Sequence, residues 1–407
     1  MNAVFLLAAL SLLLDMLQGV AQSLGLALLP LAQGYKAFLL AAMLWLLRAS
    51  DGRTLLLMAA LVVGFLLGPL FTQWRLQPPL GFTRELTLVV KLLAPWLALL
   101  AFYRLTCWQP ALALRTLHHL MHGFSLVLLL NFMLGFAGFG YAAYSPMEQI
   151  ELGSLGSSGF FISANELSAL LLILTAFQLH LHWSKGLMPY GTILLLALFC
   201  AVQLLTKTAL LGVLLLAALI PLLHQTAERR RRYAIGIGIG GLLLLGSSPL
   251  WLSPVLQQLG LHQKLLWVWQ EKGLLGLLLS SRELYMQQNL QVVAEHFPPW
   301  HWLLGVGQAG IALYQKKYFA ESDFFDLPLF FGGLALVYAL CWFAALLWFS
   351  WQARAQVTGR VLIVLNALLF LLAALAGHVL TSGMLWLPWG CWCGWLIAQQ
   401  PLKRTAS

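Results

Sequence analysis

The sequence predicts an all-α polytopic membrane protein with about twelve transmembrane helices and one large, mainly helical periplasmic loop. Three observations predict it. Of 407 residues, 61% are hydrophobic and only 9% are charged, whereas a soluble domain carries roughly 25% charged residues. The apolar residues fall in runs near the ~20 that a spanning helix needs. Basic residues recur in every second connection, which is the pattern of the positive-inside rule.

Taken in order, the runs cover 2–18, 26–47, 54–73, 86–104, 114–140, 163–181, 187–206, 208–224, 233–251, 326–350, 360–379 and 383–400. The first has no basic segment ahead of it and contains Asp15, so it reads as a retained span and not a cleavable leader. Gly135, Gly138 and Gly140 near the end of the fifth run suit close helix packing. Only Thr206-Lys207-Thr208 separates the seventh from the eighth. Arg48, Arg53, Arg104, Arg115, Lys185, Arg229 to Arg232, Arg354, Arg360, Lys403 and Arg404 fall on one side, which is therefore cytoplasmic, as are both termini. The loops 74–85, 141–162 and 252–325 then face the periplasm of a Gram-negative cell. The net charge of +10 follows from topology; the run Arg229 to Arg232 suits anionic head groups, not nucleic acid. Cys107, Cys200, Cys341, Cys391 and Cys393 form no CxxC pair and read as core or lipid-facing residues. His118, His119 and His122 lie on the cytoplasmic half and make no metal site. No internal repeat or low-complexity linker divides residues 1–407, which read as a single domain carrying the periplasmic insertion.

Polar chemistry concentrates in 252–326. Its opening apolar helical text leads to Ser280-Ser281-Arg282-Glu283-Leu284-Tyr285. It continues through His296-Phe297-Pro298-Pro299-Trp300 and closes on Glu321-Ser322-Asp323-Phe324-Phe325-Asp326. Helical spacing from Arg282 puts Leu284, Asn289, Val292 and Val293 on an apolar face. A guanidinium there suits phosphate oxygens; the plainer explanation is a surface arginine paired with Glu283 or Glu295. Lys207, between two apolar runs, needs a partner or a cavity, or else snorkels to the interface. Arg84 and Lys91, with Arg75, add positive charge near the same face. Asp323 and Asp326, spaced i,i+3 in a first helical turn, share a face. With Glu321 they either complement the helix dipole or supply a general base. Gly305-Val306-Gly307-Gln308-Ala309-Gly310 suits a backbone nest around an anion, but follows no strand and is not a dinucleotide site. His378, with Thr381 and Ser382, marks the periplasmic end of the eleventh span.

These pieces resemble the O-antigen ligase/polymerase superfamily, bacterial membrane glycosyltransferases that use polyprenyl-diphosphate-linked sugars. The resemblance rests on Gly159-Phe160-Phe161 with Ala164-Asn165-Glu166-Leu167, on Thr206-Lys207-Thr208-Ala209-Leu210-Leu211-Gly212, on the Arg282 segment leading to Leu304-Gly305-Val306-Gly307, and on the acidic motif before a glycine-containing span. It covers most of the membrane core and implies a GT-C-like, all-helical enzyme with neither metal nor cofactor. Lys207 and Arg282 would hold the donor diphosphate, assisted by Arg84 and Lys91. The family often has arginine where Lys207 stands, which retains the charge without the bidentate fork. Asp323, Glu321 or Asp326 would be the catalytic carboxylate, Asp323 by preference. His378, Asn165 and Tyr285 would contact the acceptor or support the site. Ligases of the family commonly carry a histidine near the end of the large loop. Acidic residues stand there in this chain, which favours a polymerase of the inner membrane joining one lipid-linked repeat unit to another with inversion. Membrane lipids and a chain-length regulator are the further partners implied. The alternatives are a ligase acting on lipid A core and a non-enzymatic flippase or exporter.

Overall fold

The computed structural model describes residues 2–26, 30–48, 52–76, 81–144, 155–258, 262–280 and 282–400. Ser281, Lys403, Arg404 and parts of the loops 74–85 and 141–162 lie outside them. The described residues are almost wholly helical, with two isolated antiparallel bridges, Tyr141 to Gly159 and Tyr144 to Leu155. Among them, nine helices are long and apolar enough to cross a membrane, which makes this a multi-pass membrane protein. The nine are Ala3–Ser23, Gly52–Leu76, Phe82–Trp108, Pro110–Phe136, Ala164–Trp183, Leu187–Leu204, Lys207–His224, Asp323–Gln352 and Val357–Leu375. The other three predicted spans are helical as well: Leu31–Leu47, Ala227–Gln258 and Trp386–Ala398. The first and last of these, at 17 and 13 residues, are shorter than the ~20 of an untilted crossing.

By its internal contacts the chain divides into two compact units. One holds Met1–Leu14, Leu29–Phe124 and Ser281–Ser407; the other holds Asp15–Leu28 and Ser125–Ser280. In the second unit, Ala164–Trp183 is buried along nearly its whole length, packed against Leu187–Leu204 and Lys207–His224. Gly212 permits this approach, since a Cβ there would lie 2.6 Å from the Leu172 side chain. The turn before Lys207 is fixed by two devices. Leu205 adopts a left-handed φ of 52°, and the Thr206 hydroxyl accepts the Ala209 N–H at 3.1 Å as an N-cap. Helix Pro110–Phe136 ends before Gly138 and Gly140, so those glycines do not pack helices. Both have positive φ, and a Cβ on Gly140 would meet the Gly159 carbonyl at 2.2 Å. They let segment 141–144 lie against 155–159. Fully buried Asn131 fastens that turn, donating to the Ser158 carbonyl at 3.0 Å and accepting the Phe160 N–H at 2.8 Å. The four arginines 229–232 begin helix Ala227–Gln258 instead of occupying a loop.

In the first unit, Trp386–Ala398 lies along Phe82–Trp108. Gly390 and Gly394, one helical turn apart, make the seam: added Cβ atoms would stand 2.6 Å from the Pro95 carbonyl and 2.4 Å from that of Leu99. Small residues at i,i+4 permit this backbone approach. Trp389 closes the neighbouring layer, packing on Trp342 and Phe343 and donating its indole N–H to buried Asn366 at 2.8 Å. Helix Asp323–Gln352 is broken at Gly332, where φ is 75°. The break lies against the short helix His301–Leu304: a Cβ on Gly332 would meet the Leu303 carbonyl at 1.9 Å, and one on Gly305 the Phe330 carbonyl at 2.2 Å. The polar stretch is thereby clamped to the head of a membrane span.

Candidate functional site

The site is built at that head. Helix Arg282–His296 forms as its spacing predicts, with Asn289, Val292 and Val293 buried; Leu284 is exposed instead of joining them. Arg282, at the first turn, is 8% exposed. Its partner is neither Glu283 nor Glu295. Nη2 donates to Glu321 Oε2 at 3.0 Å and to the Ala376 carbonyl at 3.1 Å, while the buried Nε has no hydrogen bond. Lys317 pairs with the other Glu321 oxygen at 3.3 Å and stands over the Tyr285 ring at 4.1 Å. Burial by itself raises the Glu321 carboxyl; the Lys317 and Arg282 cations outweigh it and hold the group below its ordinary value. Glu321 also has a left-handed φ of 65°, uncommon for a residue with a side chain.

Asp326 explains how that conformation is maintained. Its carboxylate accepts the N–H groups of Ala320 at 2.9 Å, Glu321 at 2.9 Å and Ser322 at 3.2 Å, pinning the turn that presents Glu321. Asp323, three residues earlier, serves a different partner. It is 1% exposed. Oδ2 accepts the N–H groups of Val379 and Leu380 at 2.6 and 2.8 Å, and Oδ1 the Thr381 hydroxyl at 3.1 Å. Its oxygens are thus committed to the turn after Val357–Leu375. The same turn carries His378, whose Nδ1 lies 3.7 Å from Asp323 Oδ1 and 3.3 Å from the Thr381 hydroxyl. Phe319 packs edge-on against the His378 ring, which remains 18% exposed at its side chain. Arg282, Glu321, Asp323 and His378 therefore belong to one constellation, joined through the segment 376–381.

The remaining candidates fall elsewhere. Arg84 is exposed, with a long 3.4 Å contact to the Tyr318 hydroxyl. Lys91 is half-buried in helix Phe82–Trp108 and converges with Lys36 on Gly383: both ammonium groups lie within 3.8 Å of where a Cβ on that glycine would stand. Lys207 belongs to the second unit, exposed at the head of its helix, and donates to Ser280 Oγ at 3.4 Å. Asn165 is half-buried in the first turn of Ala164–Trp183. Among the described residues, no group of three His, Cys, Asp or Glu side chains could hold a metal ion.

The glycine segment 305–310 does surround an anion, and the anion is a side chain of the protein. Fully buried Glu85 accepts the Ala309 N–H at 2.8 Å and approaches Gln308 Nε2 at 3.5 Å. Gly307, with φ of 74°, leaves room for it: a Cβ there would stand 2.8 Å from Glu85 Oε1. Glu85 escaped the sequence reading, although a lone carboxylate entering an apolar run was the available signal. No family model matches the chain, and no curated protein matches it in sequence.

Proposed function

We propose that the chain is a periplasm-facing glycan polymerase of the bacterial inner membrane, with twelve spans. It transfers a polyprenyl-diphosphate-linked oligosaccharide to a sugar hydroxyl of another lipid-linked repeat unit. The observation that carries this reading is a nine-tenths-buried arginine held by Glu321 and by the Ala376 carbonyl, two residues before a histidine that an aspartate faces. Arg282 is a buried planar cation held in place by Glu321 and the Ala376 carbonyl, and on this reading its charge stabilises the leaving diphosphate. His378 is the better-disposed base. Its side chain keeps 18% exposure, and Asp323 and Thr381 face the ring at Nδ1; on this reading it takes the acceptor hydroxyl proton. Asp323 is then a positioning residue, because its oxygens are already engaged. In the step, the acceptor oxygen bonds to the anomeric carbon as the bond from that carbon to the diphosphate oxygen breaks. The proton passes to His378, the electron pair leaves on the diphosphate, and the configuration inverts.

The role of Lys207 as a second diphosphate ligand rests on the resemblance and is tested by substitution alone. The purified protein, given a defined lipid-linked repeat unit, should extend it. Arg282→Ala, His378→Ala and Lys207→Ala should each lower turnover, His378→Ala by about 10²–10⁴-fold if it is the base. Extension at the normal rate by all three variants would defeat the assignment. A deletion strain should accumulate single lipid-linked units; polymer made but left on its carrier would point to a ligase instead.

A further inference from the structure

One feature of the first unit takes no part in that chemistry. A cleft of about 560 Å³ lies between the end of helix Gly52–Leu76 and the His296-Phe297-Pro298-Pro299-Trp300 turn. Its volume falls within the ~300–1,000 Å³ of small-molecule sites. Trp74, Arg75, Glu295, His296, Trp300 and His301 supply its polar and flat surfaces. The rings are held in pairs. Trp300 stacks on His301 with centroids 3.6 Å apart, and His296 stacks on Tyr314 at 4.0 Å and 7°. Trp74 is 82% exposed and Trp300 40%, so both present ring surface at the cleft.

His301 supplies the second observation. The residue is 4% exposed, and its buried Nδ1 makes no hydrogen bond of good geometry, although the Pro298 carbonyl lies beside the ring. Burial first, and then the Arg75 cation, depress its pKa, against the raising effect of the Pro298 carbonyl. Around it the rim presents a guanidinium and a carboxylate that already accepts Gln291 Nε2 at 2.7 Å.

We infer that this cleft is a saccharide-binding site, in which the Trp74 and Trp300 faces stack on sugar rings while Arg75 and Glu295 hydrogen-bond their hydroxyls. Sugars fit a mixed rim because each hydroxyl both donates and accepts, and their C–H faces suit aromatic planes. An acyl chain would use none of the polar groups, and Glu295 opposes an anionic head group. The position deepens the polymerase reading, on which its role as an acceptor-chain site rests. Helix Arg282–His296 has Arg282 at one end and the cleft residues Glu295 and His296 at the other, about 20 Å apart at 1.5 Å per residue. The cleft would thus grip a glycan several sugars away from the reacting end.

The test uses the full-length protein in phosphatidylcholine nanodiscs, presented to an array of bacterial surface oligosaccharides. Glycans should be captured, and Trp300→Ala and Trp74→Ala should each weaken capture about five- to tenfold, the worth of one stacking contact. Trp302→Ala, an exposed tryptophan that does not line the cleft, should leave capture unchanged. Capture no greater than by empty nanodiscs overturns the proposal. So does equal loss in Trp302→Ala, the mark of an interfacial aromatic belt. Quenching of Trp300 by brominated acyl chains, read as the signal lost in Trp300→Phe, also overturns it, because lipid then fills the cleft. Capture without any extension of a lipid-linked unit would defeat the polymerase reading and leave the cleft standing. Extension without capture would do the reverse.

Discussion

Replacing Asp323 separates an anchor from a base. Its two oxygens receive two backbone N–H groups and one hydroxyl at 2.6–3.1 Å in a fully enclosed setting. Asp323→Ala removes all three acceptances and orphans the buried N–H groups of Val379 and Leu380. Each orphan costs about 1–3 kcal/mol, so the variant should lose about 2–6 kcal/mol. On soluble-domain scaling, for a chain of 407 residues, that lowers Tm by roughly 2–7 °C. Asp323→Asn keeps one carbonyl oxygen for the two N–H groups and turns its amide toward the Thr381 hydroxyl, which can accept. It should lose only about 1–2 kcal/mol, the charge-assisted part of the bonds. Thermal unfolding of detergent-purified protein, followed by tryptophan emission and retention on size exclusion, ranks wild type, Asn and Ala. Turnover of Asp323→Asn should fall while the protein stays folded, because the His378 ring loses its orienting charge. An Asp323→Ala protein as stable as wild type would refute the anchoring argument and return Asp323 to the role of the base itself.

Further outcomes follow from the packing and the charges. Gly394→Leu should abolish stable folding of the seam between Trp386–Ala398 and Phe82–Trp108, because its Cβ already collides with the Leu99 carbonyl and overpacking alone costs about 1–3 kcal/mol; loss of the monodisperse peak on size exclusion reads this. Asn131→Ala should destabilise the second unit by about 1–3 kcal/mol, since it leaves the buried Phe160 N–H without its acceptor, and protease cleavage near 141–160 should rise. The Glu321 carboxyl is held below its ordinary value of 4.5, so its ion pairs stabilise the fold fully above about pH 4.5, and that contribution is lost as pH falls through the lower folded value. The Tm difference between wild type and Glu321→Gln should therefore shrink on acidification; a constant difference from pH 7 to 3 would contradict it.

The helices were legible because hydrocarbon leaves the backbone few options: apolar runs of spanning length must close their own hydrogen bonds. Lys207 marked a helix start, and Glu321 to Asp326 marked the head of another, by charge alone. What the sequence hid was which partner each polar group takes. The i,i+3 spacing of Asp323 and Asp326 suggested a shared face and a shared role. In the fold one carboxylate turns back onto residues 320–322 while the other reaches across to 379–381, a choice made by tertiary contacts more than fifty residues distant. Arg282 paired with Glu321 and not with a helical neighbour for the same reason. The seam glycines, Gly390 and Gly394, were readable in principle, since their four-residue spacing is local. Glu85 was readable as an anomaly but not as an answer, because its partners lie more than 220 residues away.

These carboxylates differ in what they leave available, and that difference orders the candidate roles more firmly than their proximity does. Glu85 and Asp326 receive backbone N–H groups in buried settings and so hold loops in place. Asp323 does likewise, yet one oxygen also faces a histidine. Glu321 alone among the four keeps a side chain 30% exposed, and it is committed to two cations. A base must have an open lone pair within reach of its proton, and a carboxylate stabilised by Arg282 and Lys317 is a weak one. His378, 18% exposed at its side chain, is the proposed base on this ground, while Glu321 is better suited to keeping Arg282 oriented. On this argument Glu321→Gln should loosen the arginine and weaken donor binding, raising KM, whereas His378→Ala should lower kcat. The opposite split would exchange their roles.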